Sequence, residues 1–467
     1  MGKEREKKIG RRINIQNIMI QLTCPNNNIS ERIYSIEVLF TDVLGWKRSD
    51  YSIQFMDDVH NYELDFDGKK YTIEDHFFNR FVEPLSYLKL ANEPDELNFF
   101  HGLGMEIPII YGEDKFVQKE DGTVIGLDIF ASTFFMLTRW EESLMGREEK
   151  GDCEEIQLFC VKTGIHQRPI VNEYADFLQK LLLLDLPHNS RNYTVVLSHD
   201  VDGFLTPSWK KIAKDMVHQT IHGAPKNKIL NLTWREEIKY KRAFPTAYSQ
   251  FELYTNLTEK CNIQEWFYFK VCGKGEVEAT YLFDDEQTKE IVRKLKEKKN
   301  PNFVLGFHPS QNMFDNQEQW NKEVDRITEL LQEKPFIGRN HHLLYNHETL
   351  RMWEGMSDSP LDISNCVFHY RQGFRSGVCV PYHLFDLYQR RIMNLLEHPC
   401  QIMDTVIRYN GKTKSEEERW RDIQTVVEQV KKHQGELVLT WHIYIRNKKL
   451  IQDYYQWCEK TVCYAIQ

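Results

Sequence analysis

From residue 193 onwards, short apolar runs alternate with longer amphipathic stretches, and this alternation restricts the fold more than any other feature of the sequence. The runs are YTVVLSHD, EWFYFKV, NFVLGFHPS, PFIGRNHH and ELVLTWHI. The stretches between them include DEQTKEIVRKLKEK (285–298) and NQEQWNKEVDRITELLQE (316–333), whose apolar residues recur at helical spacing. Strands that alternate with helices predict an α/β domain built on a parallel sheet or barrel.

The first 190 residues lack this alternation, and we expect them to form a smaller α+β domain that precedes an α/β domain of residues 191–467. Regular structure is predicted in three segments. Residues 32–55 contain an amphipathic helix, a break at Gly45 and a strand, residues 126–146 form an apolar helix capped by Asp128, and residues 171–185 form a helix. Within the second domain, the basic segment 207–250 has a helical pattern and is predicted to be an insertion after the first strand.

Composition excludes several classes of protein. The 467 residues carry a net charge of −9, which argues against a dedicated nucleic-acid binder. The ten cysteines form no CxxC pattern and indicate reduced thiols. No signal peptide is evident, and no apolar run approaches the roughly 20 residues that cross a bilayer, so we expect a cytoplasmic protein without a membrane span.

Four of the apolar runs end in side chains that can titrate or bind a metal. Asp200 and Asp202 end the first run, and His308, Arg339 with His341, and His442 end three others. The carboxyl ends of parallel strands meet at one rim of a barrel, where catalytic groups gather. A single histidine at a strand end is more often structural, but four such ends together predict an active site.

The sequence HDVDG places two carboxylates one residue apart. Residues i and i+2 of a strand point to the same face, so Asp200 and Asp202 are predicted to enter one pocket. Two adjacent carboxylates repel each other unless a cation or a proton lies between them. A divalent metal held by one carboxylate and His308 would satisfy this requirement, whereas the alternative is a loop cap or a calcium-like surface site.

These residues resemble the polysaccharide deacetylases, also known as NodB-homology proteins or family-four carbohydrate esterases, which have a distorted (β/α) barrel. The resemblance of LSHDVDG implies that Asp200 is the catalytic base and Asp202 a metal ligand. GFHPSQN is similar to the family's histidine motif and implies a ligand role for His308. GRNHHLL and LTWHI resemble the last two motifs, which implies that Arg339 orients the base and that His442 is the general acid.

The histidine motif departs from the family pattern, because position 312 is Asn where a second histidine is usual. Either Asn312 completes the metal site, or His341 replaces it from the next strand end, or no metal is bound. Asn is a weaker zinc ligand than imidazole. His341 and His342 are equally compatible with contacts to substrate.

The resemblance extends to one subgroup of bacterial deacetylase-like proteins through GFRSGVCVPYHLFD (373–386), EHPCQIMDTV (397–406) and, in the N-terminal part, DIFASTFFMLTRWEE and HQRPIVNEY. Arg375 is predicted to bind substrate, the alternative being an ion pair with Asp362 or Asp404. Asp404 is predicted to orient His442, the alternative being a helix or loop cap.

The leading hypothesis is therefore a hydrolase that depends on a divalent metal, most simply zinc, and removes an acetyl group from an N-acetylated sugar or a related amide. The main alternative is a non-catalytic saccharide-binding or scaffold protein on a degenerate deacetylase fold, and a glycoside hydrolase with two carboxylates ranks last. The first 190 residues are open to three roles: shaping the substrate cleft, forming a homo-oligomer or binding a partner enzyme.

Overall fold

The computed structural model describes residues 20–94, 96–145, 155–182, 192–204, 206–222, 234–276, 278–313, 315–443 and 448–467. Within these ranges the chain forms two large sheets and a two-stranded hairpin.

The N-terminal segment contains a six-stranded mixed sheet and a separate hairpin. In the large sheet the strand order is β2-β1-β3-β4-β8-β7, and β5 pairs only with β6. The parallel pairs are β1 with β2 and β4 with β8, while the remaining pairs are antiparallel. The strands are β1 (Ile20–Pro25), β2 (Tyr51–Met56), β3 (Tyr62–Phe66), β4 (Lys69–Ile73), β5 (Asn98–Gly102), β6 (Met105–Ile109), β7 (Gly112–Lys119) and β8 (Gly122–Leu127).

The predicted N-terminal helices are present, with one difference. As predicted, Asp128 caps the apolar helix, because its carboxylate accepts a hydrogen bond from the backbone N–H of Ala131 at 3.0 Å. That helix ends early, however, since Arg139 adopts a left-handed backbone conformation (φ 50°) and a short second helix follows. The helices are α1 (Ile29–Glu37, continued by a π-helical turn, Val38–Val43), α2 (Ile129–Thr138), α3 (Trp140–Leu144), α4 (Phe159–Lys162) and α5 (Ile170–Leu181).

The second sheet has nine strands in the order β14-β15-β13-β12-β11-β10-β9-β17-β16. Its described pairs are parallel, as the sequence predicts, except that β14 lies antiparallel to β15. The strands are β9 (Thr194–Val201), β10 (Gln264–Phe269), β11 (Phe303–Phe307), β12 (Ile337–Gly338), β13 (Leu361–Ile363), β14 (Tyr382–Asp386), β15 (Arg391–Glu397), β16 (Cys400–Met403) and β17 (Glu436–Thr440).

The nine-stranded sheet curls until its two ends approach each other. β15 lies near one end of the strand order and β16 forms the other end, yet only His398 and Pro399 separate them along the chain. Two residues between strands span about 10 Å at most. The run 391–403 therefore joins the ends of the sheet, and His398 lies at this seam, with its Nδ1 2.6 Å from Glu436 and its Nε2 3.6 Å from Asp362.

Amphipathic helices connect the strands of the curled sheet, and the two helices predicted over 285–298 and 316–333 are confirmed as α9 and α10. Where it is described, the segment 207–250 contains two helices, which lie between β9 and a third helix that begins at Ser249. The helices are α6 (Trp209–His222), α7 (Trp234–Ala243), α8 (Ser249–Cys261), α9 (Glu286–Glu297), α10 (Gln317–Leu331), α11 (His347–Glu354), α12 (Asp404–Asn410), α13 (Glu416–Lys432) and α14 (Lys448–Ala465).

One continuous cluster of buried apolar side chains includes residues from both sheets, from Ile20 to Ala465. The predicted domain boundary near residue 190 falls within 183–191, outside the described residues, and stays a prediction. The nine described cysteines are free thiols, as predicted. Across the described ranges, no helix combines the length and the apolar character needed to cross a membrane.

Candidate functional site

The predicted site residues follow the carboxyl ends of four parallel strands, β12, β11, β9 and β17, within the run β12-β11-β10-β9-β17 of the curled sheet. Asp200 is the penultimate residue of β9 and Asp202 follows its end, while His308 directly follows β11 and Arg339 directly follows β12. His442 comes two residues after β17, which pairs with β9 on its other side. The ends of adjacent parallel strands lie at the same edge of a sheet, which explains why side chains up to 242 positions apart converge.

Asp200 occupies the centre of this group and is buried. Its Oδ1 accepts a hydrogen bond from Nη1 of Arg339 at 2.9 Å, and its Oδ2 lies 3.7 Å from Nε2 of His442 and 4.0 Å from Nε2 of His308. Burial raises the pKa of Asp200, but the Arg339 guanidinium and then the two histidines lower it by more. The pKa of Asp200 is therefore well below the usual range of a carboxyl group. Asp200 is therefore an ionised carboxylate that faces two imidazoles.

Arg339 is fixed by a set of hydrogen bonds that leave its guanidinium little freedom. Its Nε donates to the carbonyl of Ser364 at 2.6 Å, its Nη2 to the Ser364 hydroxyl at 2.8 Å, and its Nη1 also to the Ser198 hydroxyl at 3.1 Å. The preceding residue must be Gly338, because a Cβ there would lie 2.3 Å from the carbonyl oxygen of Phe307. The close approach of β11 and β12 thus sets the position of Arg339 at the rim.

Asp202, His308 and His341 bring three ligand-type atoms to one point. Oδ1 of Asp202 lies 3.7 Å from Nε2 of His308 and 3.6 Å from Nε2 of His341, and the three atoms all lie within 4.8 Å of one another. Ligands around a tetrahedral zinc ion are about 3.4 Å apart for bond lengths of about 2.1 Å. The three side chains therefore have the spacing and the chemistry of a divalent metal site.

In both imidazoles of this group, Nδ1 lies within hydrogen-bond distance of a neighbouring oxygen, and Nε2 faces Oδ1 of Asp202. Nδ1 of His308 lies 2.6 Å from the carbonyl oxygen of Arg339, and Nδ1 of His341 lies 2.5 Å from Oε2 of Glu278. Burial lowers the pKa of His308 to about 4, so this ring is neutral. Its Nε2 is buried and has no hydrogen-bond partner among the described residues, as expected for a nitrogen whose lone pair binds a metal ion.

Two further residues of the site were missed by the sequence reasoning. Lys270 directly follows β10, and its buried ammonium lies 2.9 Å from Oδ1 of Asp202. Glu278 lies in the loop beyond it. Lys270 lies at the end of the run EWFYFKV, and so the argument that side chains at parallel strand ends meet at one rim applies to it as well. Glu278 carries no comparable signal, because it comes from a connection with no regular pattern.

His442 forms a pair with Asp404, the residue that begins α12. Nδ1 of His442 lies 2.7 Å from Oδ1 of Asp404, and the backbone N–H of His442 donates to Oδ2 at 3.1 Å. Burial lowers the pKa of His442, but the Asp404 carboxylate raises it, and the result is a pKa of about 9. The ring is therefore protonated at neutral pH, with its Nε2 directed at Asp200.

The alternating direction of side chains along β9 is visible at its C-terminal end. His199 points away from the site, where its Nε2 lies 3.0 Å from Glu265 and its Nδ1 2.7 Å from the carbonyl oxygen of Trp441. Asp200 and Asp202 share the opposite side, as the HDVDG spacing predicts. Asp200 is buried and both carboxylates have histidine neighbours, which does not fit the alternative of a loop cap or a calcium-like surface site.

The structure leaves the predicted role of Asn312 untested and gives Arg375 an ion-pair partner that the sequence did not predict. The side chain of Asn312 lies outside what the structure describes, and so its predicted ligand role stays a prediction. Arg375 does not pair with Asp362 or Asp404, and that alternative was wrong, since its Nε and Nη2 donate to Glu142 at 3.0 and 2.8 Å. This ion pair joins the helix α3 to the curled-sheet segment, and the predicted substrate contact of Arg375 is untested.

A second group of ligand-type side chains lies on the N-terminal sheet, formed by Glu74, His76 and Glu113. It differs from the strand-end group because it has one imidazole instead of two and none of its three residues is buried, Glu113 being exposed. Nζ of Lys115 also contacts both of its carboxylates, 2.5 Å from Glu74 and 3.6 Å from Glu113. We therefore assign it no ligand.

Comparisons with known proteins give distant similarities. Residues 20–187 match a family described as "Family of unknown function (DUF7033)". No curated protein matches the chain. A proposed polysaccharide deacetylase involved in O-antigen biosynthesis from Bordetella bronchiseptica is 14% identical, with 59% of this chain and 85% of that chain covered and a TM-score of 0.28. A proposed polysaccharide deacetylase from Mycobacterium smegmatis is 9% identical, with 60% and 86% covered and a TM-score of 0.37. These similarities are too distant to transfer residue roles to this chain.

Proposed function

We propose that this protein is a metal-dependent hydrolase that removes an acetyl group from an N-acetylated sugar or a related amide in polysaccharide or glycoconjugate metabolism. The observation that carries the proposal is the position of Asp200, which is hydrogen-bonded to Arg339 at 2.9 Å and lies 3.7 Å from His442. Two residues further on, Asp202 lies beside the imidazoles of His308 and His341. A base, an acid and a set of metal ligands thus share one pocket.

Asp202, His308 and His341 would hold the metal, and zinc suits a set of two imidazoles and one carboxylate. Such an ion lowers the pKa of a bound water and polarises an acyl oxygen. The orphaned Nε2 of His308 supports this fit, because a buried nitrogen without a partner is costly unless it binds a ligand. His341 is the third ligand in this proposal, because its Nε2 lies 3.6 Å from Oδ1 of Asp202.

Each remaining residue has a role that follows from its contacts. Asp200 is ionised and accepts the proton of the attacking water, and Arg339 holds its carboxylate in place. His442 is protonated at neutral pH and donates its Nε2 proton to the departing amine nitrogen. Asp404 orients the ring of His442 through Nδ1 and stabilises its charge.

The second candidate function is a non-catalytic saccharide-binding protein, and one observation favours it. The ammonium of Lys270 lies 2.9 Å from Asp202, and so the chain itself supplies a positive charge beside the carboxylate that a metal would neutralise. In a degenerate site, this ion pair would replace the metal. The two functions therefore differ in whether the protein binds one equivalent of metal.

The test measures metal content and acetate release on the same preparation. Protein purified without chelator should contain about one equivalent of metal, and it should release acetate from a panel of N-acetylated amino sugars, free, polymeric and nucleotide-linked. Asp200→Asn should retain the metal and lose the activity, while the control Asp58→Asn, at an exposed position, should keep both. A folded protein that binds no metal and has no activity would support the binding protein instead.

A further inference from the structure

Helix α6 (Trp209–His222) exposes large apolar side chains on one face. Trp209, Met216, Val217 and Ile221 are 55, 38, 52 and 68% exposed. At 100° per residue these four positions fall within an arc of about 140° around the helix axis. Large exposed apolar groups that share one helix face mark an interaction surface, whereas singly scattered ones need no explanation.

The opposite side of α6 is the one that packs on the protein. Ile212 is 3% exposed, and Nζ of Lys211 lies 3.3 Å from a carboxylate oxygen of Glu237 in α7. Both residues lie outside the apolar arc. An ordinary surface helix turns its apolar stripe inwards and its polar face to solvent. In α6 the large apolar side chains of the arc face outwards, and so burial among the described residues does not account for Trp209, Val217 and Ile221.

The charge around this stripe is positive in a protein that is negative overall. Lys210 and Lys214 are exposed on the same side of the helix: at 100° per residue Lys210 lies within the arc, between Val217 and Ile221, and Lys214 lies at its edge. The segment 207–250 contains nine lysines and arginines against three acidic residues, whereas the whole chain has a net charge of −9. A lysine can lay its aliphatic stem along apolar groups and extend its ammonium to the headgroups, so a helix face that combines large apolar side chains with lysines fits the interface of an anionic lipid bilayer.

We propose that α6 docks the protein on the surface of an anionic membrane, with Trp209, Val217 and Ile221 entering the headgroup region and Lys210 and Lys214 contacting lipid phosphates. A second copy of the chain fits this surface less well, because a two-fold contact of α6 with itself would bring the lysines of both copies together. The docking is independent of the chemistry proposed for the candidate functional site.

The experiment is sedimentation of the full-length protein with vesicles, made either of phosphatidylcholine alone or with one third phosphatidylglycerol. The protein should bind the anionic vesicles, and the bound fraction should fall as salt is raised from 50 to 500 mM, because the Debye length shortens. The double variant Val217→Ser with Ile221→Ser should have a partition coefficient for anionic vesicles that is at least about tenfold lower than that of the wild type. Lys210→Glu with Lys214→Glu should abolish the preference for anionic vesicles.

The matched control is Ile156→Ser, since Ile156 is 67% exposed and lies far from α6 in sequence. This variant should bind vesicles like the wild type. The proposal is overturned if the wild type does not sediment with anionic vesicles, or if the α6 variants bind as well as the control does. It is also overturned if the wild type is a dimer that the α6 variants convert to a monomer while no form binds vesicles, since the face would then join two copies.

Discussion

Arg339 and Asp200 form a buried, hydrogen-bonded ion pair, with Nη1 of the guanidinium 2.9 Å from Oδ1 of the carboxylate. Removing one partner of such a pair would leave an uncompensated buried charge. The pair nevertheless leaves Oδ2 of Asp200 facing His308 and His442. Arg339 therefore fixes one oxygen of the carboxylate and leaves the other for proton transfer.

The first prediction concerns this positioning role. Arg339→Lys keeps a positive charge but cannot reproduce the contacts to Ser198, Ser364 and Asp200 at once. We expect kcat to fall about 10²-fold, because small misplacements of a catalytic group have effects of this size. Metal content should stay unchanged. Arg326→Lys, at an ion pair with Glu276 outside the site, is the control and should leave kcat unaltered. An unchanged kcat in the Arg339 variant would contradict the assignment.

The second prediction distinguishes the candidates for the third metal ligand. His341→Ala should lower the affinity for zinc at least about 100-fold, because its Nε2 lies 3.6 Å from Asp202 in the ligand triangle. Asn312→Ala should change the affinity little. Titration of the metal-free protein with zinc measures both. The opposite order of effects would show that Asn312, as in the alternative from the sequence, completes the site.

The third prediction concerns Glu278, which lies 2.5 Å from Nδ1 of His341. A carboxylate in this position orients a ligand imidazole and increases its basicity. Glu278→Gln should therefore weaken zinc binding about 10–100-fold while the fold is retained. Glu276→Gln, two residues away and paired with Arg326, provides the control. Equal zinc affinities of the two variants would show that Glu278 has no part in the site.

The fourth prediction concerns the protonation of His442. Its pKa is about 9 because the Asp404 carboxylate outweighs the effect of burial. In the metal-free protein, NMR of ¹⁵N-labelled histidine should show this ring titrating near that value. Asp404→Asn should lower the pKa by about 1–3 units, since the ring then loses a charged partner. A wild-type ring that titrates near 6.5 would remove the basis for its role as a general acid.

The sequence was sufficient to predict the strand ends and the residues they carry. Asp200, Asp202, His308, Arg339 and His442 converge because apolar runs are readable and parallel strands all end at one rim. The sequence did not predict Glu278, which a loop supplies, or the partner of Arg375. Glu142 precedes Arg375 by 233 positions, in a segment whose packing on the curled sheet no local pattern reveals.

The closure of the sheet was also beyond sequence reasoning. The segment EHPCQIMDTV was noted only as a motif, although it contains the seam between β15 and β16. Two consecutive strands that pair near opposite ends of one sheet have no signature in hydrophobic periodicity. His398 at this seam was likewise not singled out, because its two carboxylate partners, Asp362 and Glu436, come from separate strands.

The last prediction uses this seam. Burial lowers the pKa of His398, but Glu436 and Asp362 raise it to about 10, well above the 6.5 of an unfolded chain. The folded state therefore binds one more proton between these values. The contribution of the protonated His398 to the free energy of unfolding is complete below pH 6.5 and is lost as the pH rises through 10. Urea unfolding should show the difference in stability between wild type and His398→Gln shrinking by roughly 2 kcal/mol or more from pH 6.5 to 10. The control His60→Gln, at an exposed position, is measured at the same pH values. A difference for His398→Gln that is constant with pH would mean that the ring is neutral at the seam.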